Sequence, residues 1–335
     1  MPVKRLASRC DSLLAFAEYA APPRFLKSLH PPEKHAISVR QLARTDACRY
    51  PVLSCIVNRM NDASLTFIGG GNMAGSLVGG LIADGWDPAR IRVADPDPGQ
   101  RERMAARHQV ATTPDNQTAV SGTDVVVLAV KPPLMASVAA GLAAGIAQQQ
   151  PLVISIAAGI RESALRGWLG ADTAIVRAMP NTPALVQSGA TALYANTAVS
   201  ERQRSLAESI LRAVGLVIWV EDEALMDAVT ALSGSGPAYF FLFMEALQAA
   251  GEELGLPAET ARLLTLQTAL GAARMALESP DDAGTLRRHV TSPGGTTERA
   301  ISILQDGGLA ELISRAVQGA AERSRELAKE HGRPL

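Results

Sequence analysis

Leu65-Thr66-Phe67-Ile68-Gly69-Gly70-Gly71-Asn72-Met73-Ala74-Gly75 is the stretch that decides the fold. A short β-branched and aromatic run breaks into glycines, then opens a small-residue helix, Ser76-Leu77-Val78-Gly79-Gly80-Leu81-Ile82. Gly69 and Gly71 take the first two places of G-x-G-x-x-G/A, one for the tight turn and one so that backbone can approach a pyrophosphate; Ala74 takes the third, where a small residue lets helix and strand pack closely. The N–H groups and positive dipole at the helix start suit phosphate. Glycine-rich strand–helix turns also occur without a nucleotide, so the surroundings must decide.

Downstream, the helix runs to about Ala83, and a turn leads to a second strand, Ile91-Arg92-Val93-Ala94, ending in Asp95, 24 residues beyond Gly71. An acid there accepts hydrogen bonds from ribose hydroxyls; the competing reading is a turn residue in Asp95-Pro96-Asp97-Pro98. A third strand over 124–130 is continuously apolar, as in parallel strands covered on both faces, and meets Lys131-Pro132-Pro133. A fourth, Leu152-Val153-Ile154-Ser155-Ile156, ends at Ala157-Ala158-Gly159. The expectation is a Rossmann-like, doubly wound α/β sheet with its ligand at the carboxyl ends of the strands.

Composition narrows the function. The chain has 335 residues, 47% hydrophobic, room for two domains. Its net charge is −1 with acids and bases interspersed, which gives no electrostatic footprint for nucleic acid. No apolar run reaches the roughly 18 residues of a membrane span. Cys10, Cys48 and Cys55 all precede Met60, leaving the body without a thiol for catalysis, disulfide or zinc, and the five histidines make no metal spacing. Residues 1–59 are basic, carry Pro22-Pro23 and Pro31-Pro32, and show no sustained period. They read as a poorly ordered extension, with Met60 as the natural start and a transit peptide as the competing reading. The expected location is the cytoplasm.

Residues 60–222 form the expected dinucleotide-binding domain, completed by strands in 177–183, 189–194 and 216–220. Residues 223–330 form an all-helical one, with helices over 225–232, 238–254, 258–277 and 309–330. These helices are apolar on more than one face and must be buried. So few helices can hardly cover themselves, and a second copy in a two-fold dimer is the simplest cover.

Two breaks in this half look chemical: Ser233-Gly234-Ser235-Gly236-Pro237-Ala238-Tyr239 and Thr291-Ser292-Pro293-Gly294-Gly295-Thr296-Thr297. Such loops present N–H groups and hydroxyls at a helix start, a receptacle for a small carboxylate. A plain helix–helix connection is the alternative. Four hydroxyl residues with two glycines and no charge favour a site in the second loop.

Together these motifs resemble the pyrroline-5-carboxylate reductase family, from about residue 65 to about 327. The resemblance rests on Phe67 to Ala74, Ala129-Val130-Lys131-Pro132, Met179-Pro180-Asn181-Thr182-Pro183, Asp227-Ala228-Val229-Thr230 running into the Ser-Gly-Ser-Gly-Pro-Ala-Tyr stretch, and 291–297. It implies NADPH or NADH as cofactor, with the pyrophosphate on Gly69, Gly71, Asn72, Met73 and Ala74. Asp95 and Asn116 would serve the adenosine end, and Ala129, Val130, Lys131, Pro132, Ile156, Ala157 and Ala158 the nicotinamide and its ribose. It implies that Ser292, Gly294, Gly295 and Thr296 hold the carboxylate of 1-pyrroline-5-carboxylate, that Thr297 bonds the ring nitrogen as the catalytic residue, and that Glu223 closes the site. His289 falls at a cofactor-side position. It implies no metal, reduction of the imine to L-proline as the last step of proline biosynthesis, and a homodimer compatible with a ring of dimers. Asp95 departs from relatives that carry Ser or Thr for a 2′-phosphate, which leans toward NADH although Arg101 and Arg103 follow. Two other readings compete. A 3-hydroxyacid dehydrogenase needs a lysine in the helical half, where 175–327 has none; a non-catalytic nucleotide-binding regulator leaves the hydroxyl–glycine loops unexplained.

Overall fold

The computed structural model describes residues 62–332. The basic segment 1–59 and Met60, on which the sequence suggests an alternative start, lie outside the described residues. The chain opens with β1 (Leu65–Ile68), α1 (Asn72–Ala83), β2 (Ile91–Ala94), α2 (Pro98–His108), β3 (Ala111–Thr113) and α3 (Asn116–Val120). Then follow β4 (Val125–Leu128), α4 (Pro132–Gln149), β5 (Leu152–Ser155), α5 (Glu162–Leu169), β6 (Ile175–Met179) and β7 (Gly189–Ala195), and last α6 (Glu201–Arg212) and β8 (Gly215–Trp219). The eight strands form one sheet in the order β3-β2-β1-β4-β5-β6-β7-β8. Strands β1 to β6 pair in parallel, and β7 enters antiparallel to β6 and parallel to β8.

Both faces of the central strands are covered. Leu65, Phe67, Val125, Val127, Leu152 and Ile154 turn to one core with α1 and α6. Their neighbours Ile68, Val126, Leu128 and Val153 turn to another with α4 and α5. The alternation is the strand period of two, and apolar side chains on both sides of it produce the continuous runs in the sequence. Each fully buried Leu, Ile or Phe here contributes about 1.5–3 kcal/mol. Helix α1 sits so close to the α6–β8 connection that a Cβ on Gly80 would fall 2.5 Å from Val214 Cγ1.

Two strand expectations change. The run over 124–130 is the fourth strand, because Ala111–Thr113 adds a short edge strand whose Ala-Thr-Thr sequence carries no apolar run. The segment 177–183 splits into the end of β6 and a 3-10 turn at Thr182–Val186, since Pro183 fits the first helical positions and cannot continue a ladder.

Beyond β8 the chain is helical: α7 (Leu225–Val229), a π-turn (Thr230–Gly234), α8 (Gly236–Glu253), α9 (Ala258–Glu278), α10 (Ala283–His289), α11 (Thr296–Asp306) and α12 (Leu309–His331). The helix expected over 225–232 therefore ends at Val229, and α10 and α11, unforeseen in the sequence, flank the second glycine loop. Gly236 is the one buried residue of α8 and Ala261 that of α9. Phe240, Phe241, Leu242, Leu263, Leu264 and Leu270 are all more than half exposed, the uncovered apolar surface expected of a helical half that is closed by a partner.

Candidate active site

The chain order doubles back between β1 and β4, and in such sheets a ligand crevice forms outside the carboxyl ends of the strands at the switch point. Four loops leave this edge side by side: the glycine loop after β1, Ala129 to Pro132 after β4, Ile156 to Ala158 after β5, and Asn181 after β6.

The glycine loop has the build of a phosphate cradle. Gly69 sits at φ +101°, and a Cβ there would lie 2.8 Å from the Ala129 carbonyl oxygen. Its N–H donates to Ala94 O at 2.8 Å, and Ala129 N donates to Ile68 O at 2.8 Å, which fixes the mouth between β1, β2 and β4. A Cβ on Gly71 would meet nothing within 4 Å, so backbone is open to a ligand on that side. No side chain caps α1, and its first N–H groups and dipole face the same opening. Ala74 is 1% exposed, the small third residue on which the helix packs; Asn72 is exposed and Met73 half-buried against the core. These features fit a dinucleotide pyrophosphate.

Asp95 stands at the end of β2 with both oxygens engaged. Oδ2 accepts from Gly70 N at 2.7 Å and Oδ1 from Asp97 N at 2.9 Å. Arg101 does not pair with this carboxylate: its Nη1 donates to the carbonyls of Asp95 (2.8 Å) and Pro96 (2.9 Å). Arg103 Nε donates to Gln100 Oε1 at 3.3 Å. Asn116 begins α3, whose cap is the Asp115 side chain. Lys131 is exposed, Ala129, Val130 and Pro132 half-buried, and Ala157 buried.

The second glycine loop is shaped locally. Gly294 adopts φ +70° and its N–H donates to Glu298 Oε2 at 2.7 Å, while Gly295 N donates to Ser292 O at 3.0 Å. The sequence reading of this loop as free of charge is thus corrected: Glu298, one residue past the motif, folds its carboxylate back onto it. Ser292, Gly294 and Thr296 are exposed, Gly295 and Thr297 half-buried. His289 is exposed, 3.8 Å from Asp281. Ser292 to Thr297 hydrogen-bond only among α10–α11 neighbours, and no hydrogen bond among the described residues joins them to the glycine loop of β1.

A buried polar cluster stands at β6. Arg177, 5% exposed on β6, places Nη1 2.5 Å from Glu223 Oε1, which also accepts from Glu162 N at 2.6 Å. Burial pushes the Arg177 guanidinium below its ordinary value, and the Glu223 charge and hydrogen bond oppose that shift. Burial, with the Glu223 charge second, holds Tyr194 above the usual phenol range. Nearby, the π-turn rests on the end of β6: Asn181 Nδ2 donates to Ser233 O at 3.2 Å, and a Cβ on Gly234 would lie 2.4 Å from Met179 Cε. Single π-turns are frequent at functional sites. Ser233 and Gly234 open the first of the two glycine-rich breaks that look chemical in the sequence, and Asn181 stands in the Met179–Pro183 motif without a role assigned there.

Known proteins resemble this chain in sequence and fold. Residues 223–327 match the family model described as pyrroline-5-carboxylate reductase dimerisation, and residues 64–159 match that of NADP oxidoreductase coenzyme F420-dependent. A pyrroline-5-carboxylate reductase of Pseudomonas aeruginosa is 52% identical over 273 residues, covering 82% of this chain and all of the relative. The structure of a pyrroline-5-carboxylate reductase from Coxiella burnetii superposes with a TM-score of 0.77 at 52% identity, over 79% of this chain and 98% of that one. That of the Plasmodium falciparum pyrroline carboxylate reductase with NADP bound gives 0.72 at 29% identity, over 80% and 99%.

Proposed function

The chain belongs to the pyrroline-5-carboxylate reductase family, and from that premise we propose that it reduces the cyclic imine 1-pyrroline-5-carboxylate to L-proline in the cytoplasm, using NADPH or NADH. The observation that carries this is the crevice between β1 and β4, where Gly69 lies too close to the Ala129 carbonyl for any side chain and Gly71 is open. The family relationship then supplies the substrate that a nucleotide loop alone leaves open.

When bound, the reduced nicotinamide supplies a hydride to the imine carbon. The chain's own residues bind and orient. Gly69, Gly71, Asn72, Met73 and Ala74 hold the pyrophosphate, Asp95 and Asn116 the adenosine end, and the turns of Ala129 to Pro132 and Ile156 to Ala158 the nicotinamide side. Ser292, Gly294, Gly295 and Thr296 receive the substrate carboxylate, Thr297 bonds the ring nitrogen, and Glu223 closes the site. No His or Lys stands at the Thr297 position, so the nitrogen is protonated on entry or by water, and the protein acts mainly by positioning.

Asp95 favours NADH. Its carboxylate would repel a 2′-phosphate, and Arg101 does not neutralise it, turning to backbone carbonyls instead. Residues 60–222 act as the nucleotide domain and 223–330 as the substrate and dimerisation domain, with two copies joining through α8 and α9 and a ring of dimers as the larger assembly. Oxidation of NADH on adding 1-pyrroline-5-carboxylate, with proline as product, tests the activity. Thr297→Ala tests the nitrogen contact: a raised KM or lowered kcat supports it, and unchanged constants remove Thr297 from the site.

A further inference from the structure

Asp227, in the motif Asp227-Ala228-Val229-Thr230, has no part in the chemistry above, yet it is one of the few acids enclosed by the fold, 5% exposed. Its Oδ2 lies 2.5 Å from Arg161 Nη2, and its Oδ1 accepts from Ser324 Oγ at 2.7 Å, with Ser324 4% exposed. One carboxylate thereby joins three segments far apart in sequence: the turn after β5, helix α7 and helix α12.

The turn it grips leads from β5 to α5 through Ile156, Ala157, Ala158, Gly159 and Ile160, and Arg161 is the cap of α5. At its near end the turn is tied to the sheet, where Ile156 N donates to Leu128 O at 3.2 Å. At its far end Arg161 is held by Asp227, and Glu162 N by Glu223. Helix α12 closes over the middle: Gly159 adopts φ +70°, and a Cβ there would stand 3.1 Å from Leu327 Cβ. Among the described residues the Arg161 guanidinium has one further hydrogen bond, at 3.5 Å to the Glu223 carbonyl. Removing the Asp227 charge would leave a half-buried guanidinium, 26% exposed, without its counter-ion, free to move toward water and draw the turn with it.

We infer that Asp227 is a positioning residue for the turn 156–158, and that through Ser324 it makes α12 a support of the cofactor crevice. The inference rests on the reading that this turn lines the nicotinamide.

The test uses the full chain and its variants Asp227→Asn, Arg161→Gln, the double variant, Ser324→Ala and Ala158→Leu. NADH dissociation constants, kcat, both KM values, and amide hydrogen exchange over 156–162 in cofactor-free protein are measured well below the melting temperature. Asp227→Asn and Arg161→Gln should each weaken NADH binding and speed exchange in that segment, by roughly five- to tenfold, and the double variant should be no worse than the worse single, as for coupled neighbours. The KM for the imine should move less, and Ser324→Ala should act in the same direction more weakly. A lowered melting temperature in Asp227→Asn with NADH affinity and exchange at wild-type levels would overturn the inference, leaving Asp227 a purely structural residue. Ala158→Leu separates the premises. If it weakens NADH and Asp227→Asn does not, the clamp fails while the turn keeps its place; if it leaves NADH binding intact, the nicotinamide reading fails and the inference with it.

Discussion

Asp95 Oδ2 accepts a hydrogen bond from the Gly70 amide at 2.7 Å, so the acid at the end of β2 is wired into the glycine loop of β1. On the proposed role of Asp95, cofactor choice and loop geometry would be coupled at one side chain. Asp95→Ser removes the negative charge while leaving an acceptor. The ratio of kcat/KM for NADPH to that for NADH should rise by at least about tenfold, roughly 1.4 kcal/mol. A wild-type enzyme that already prefers NADPH strongly would contradict the reading of Asp95.

Arg177 and Glu223 form an ion pair whose arginine is almost fully enclosed. Arg177→Met leaves Glu223 and the Glu162 amide around an uncompensated charge, and should cost about 3–5 kcal/mol in denaturant unfolding. The double variant Arg177→Met/Glu223→Gln should recover part of that loss. A double variant that loses the full sum of the Arg177→Met and Glu223→Gln costs would show that the pair does not act as a unit.

His108 is packed against α1, where a Cβ on Gly79 would lie 3.0 Å from its Cε1, and burial, with Arg107 second, lowers its pKa below 6.5. A depressed imidazole pKa means the unfolded chain binds more protons just below pH 6.5. Stability is thus full above that value and declines as pH falls through the interval down to the folded-state pKa. His108→Asn should show a smaller fall in melting temperature between pH 7.5 and pH 5 than the wild type. Parallel curves would remove His108 from the acid sensitivity.

Phe240 on α8 and Leu270 on α9 are 68% and 61% exposed. In the proposed dimer a second copy would cover this surface. Light scattering of the wild type should give at least a dimer, and Phe240→Asp with Leu270→Asp a monomer that retains its circular dichroism. A wild-type monomer would contradict the assignment of these faces.

Much of this was legible in the sequence because backbone geometry demands particular residues there. Gly69 at positive φ beside the Ala129 carbonyl, Ala74 under the helix and the apolar runs of β4 and β5 each leave a mark that spacing alone reveals. The three-residue β3 left none, since Ala-Thr-Thr at an edge needs no apolar pattern. The π-turn at Thr230–Gly234 reads like ordinary helix, because the extra residue shows in backbone bonding such as that from Ser235 N to Thr230 O. Long-range polar pairs were beyond reach for another reason: Arg161, Asp227 and Ser324 are separated by 66 and 97 residues, and nothing local requires them to meet. Glu298 was missed by one position, its side chain folding back against the chain direction.

Hydride transfer to the imine is tested by incubating the full chain with 1-pyrroline-5-carboxylate and NADH deuterated on the transferable C4 position, then analysing the proline by mass spectrometry and NMR. One deuterium per proline is expected, at ring carbon C5, with one NADH oxidised per proline formed. No proline above the enzyme-free control, or proline without deuterium at C5, would contradict it.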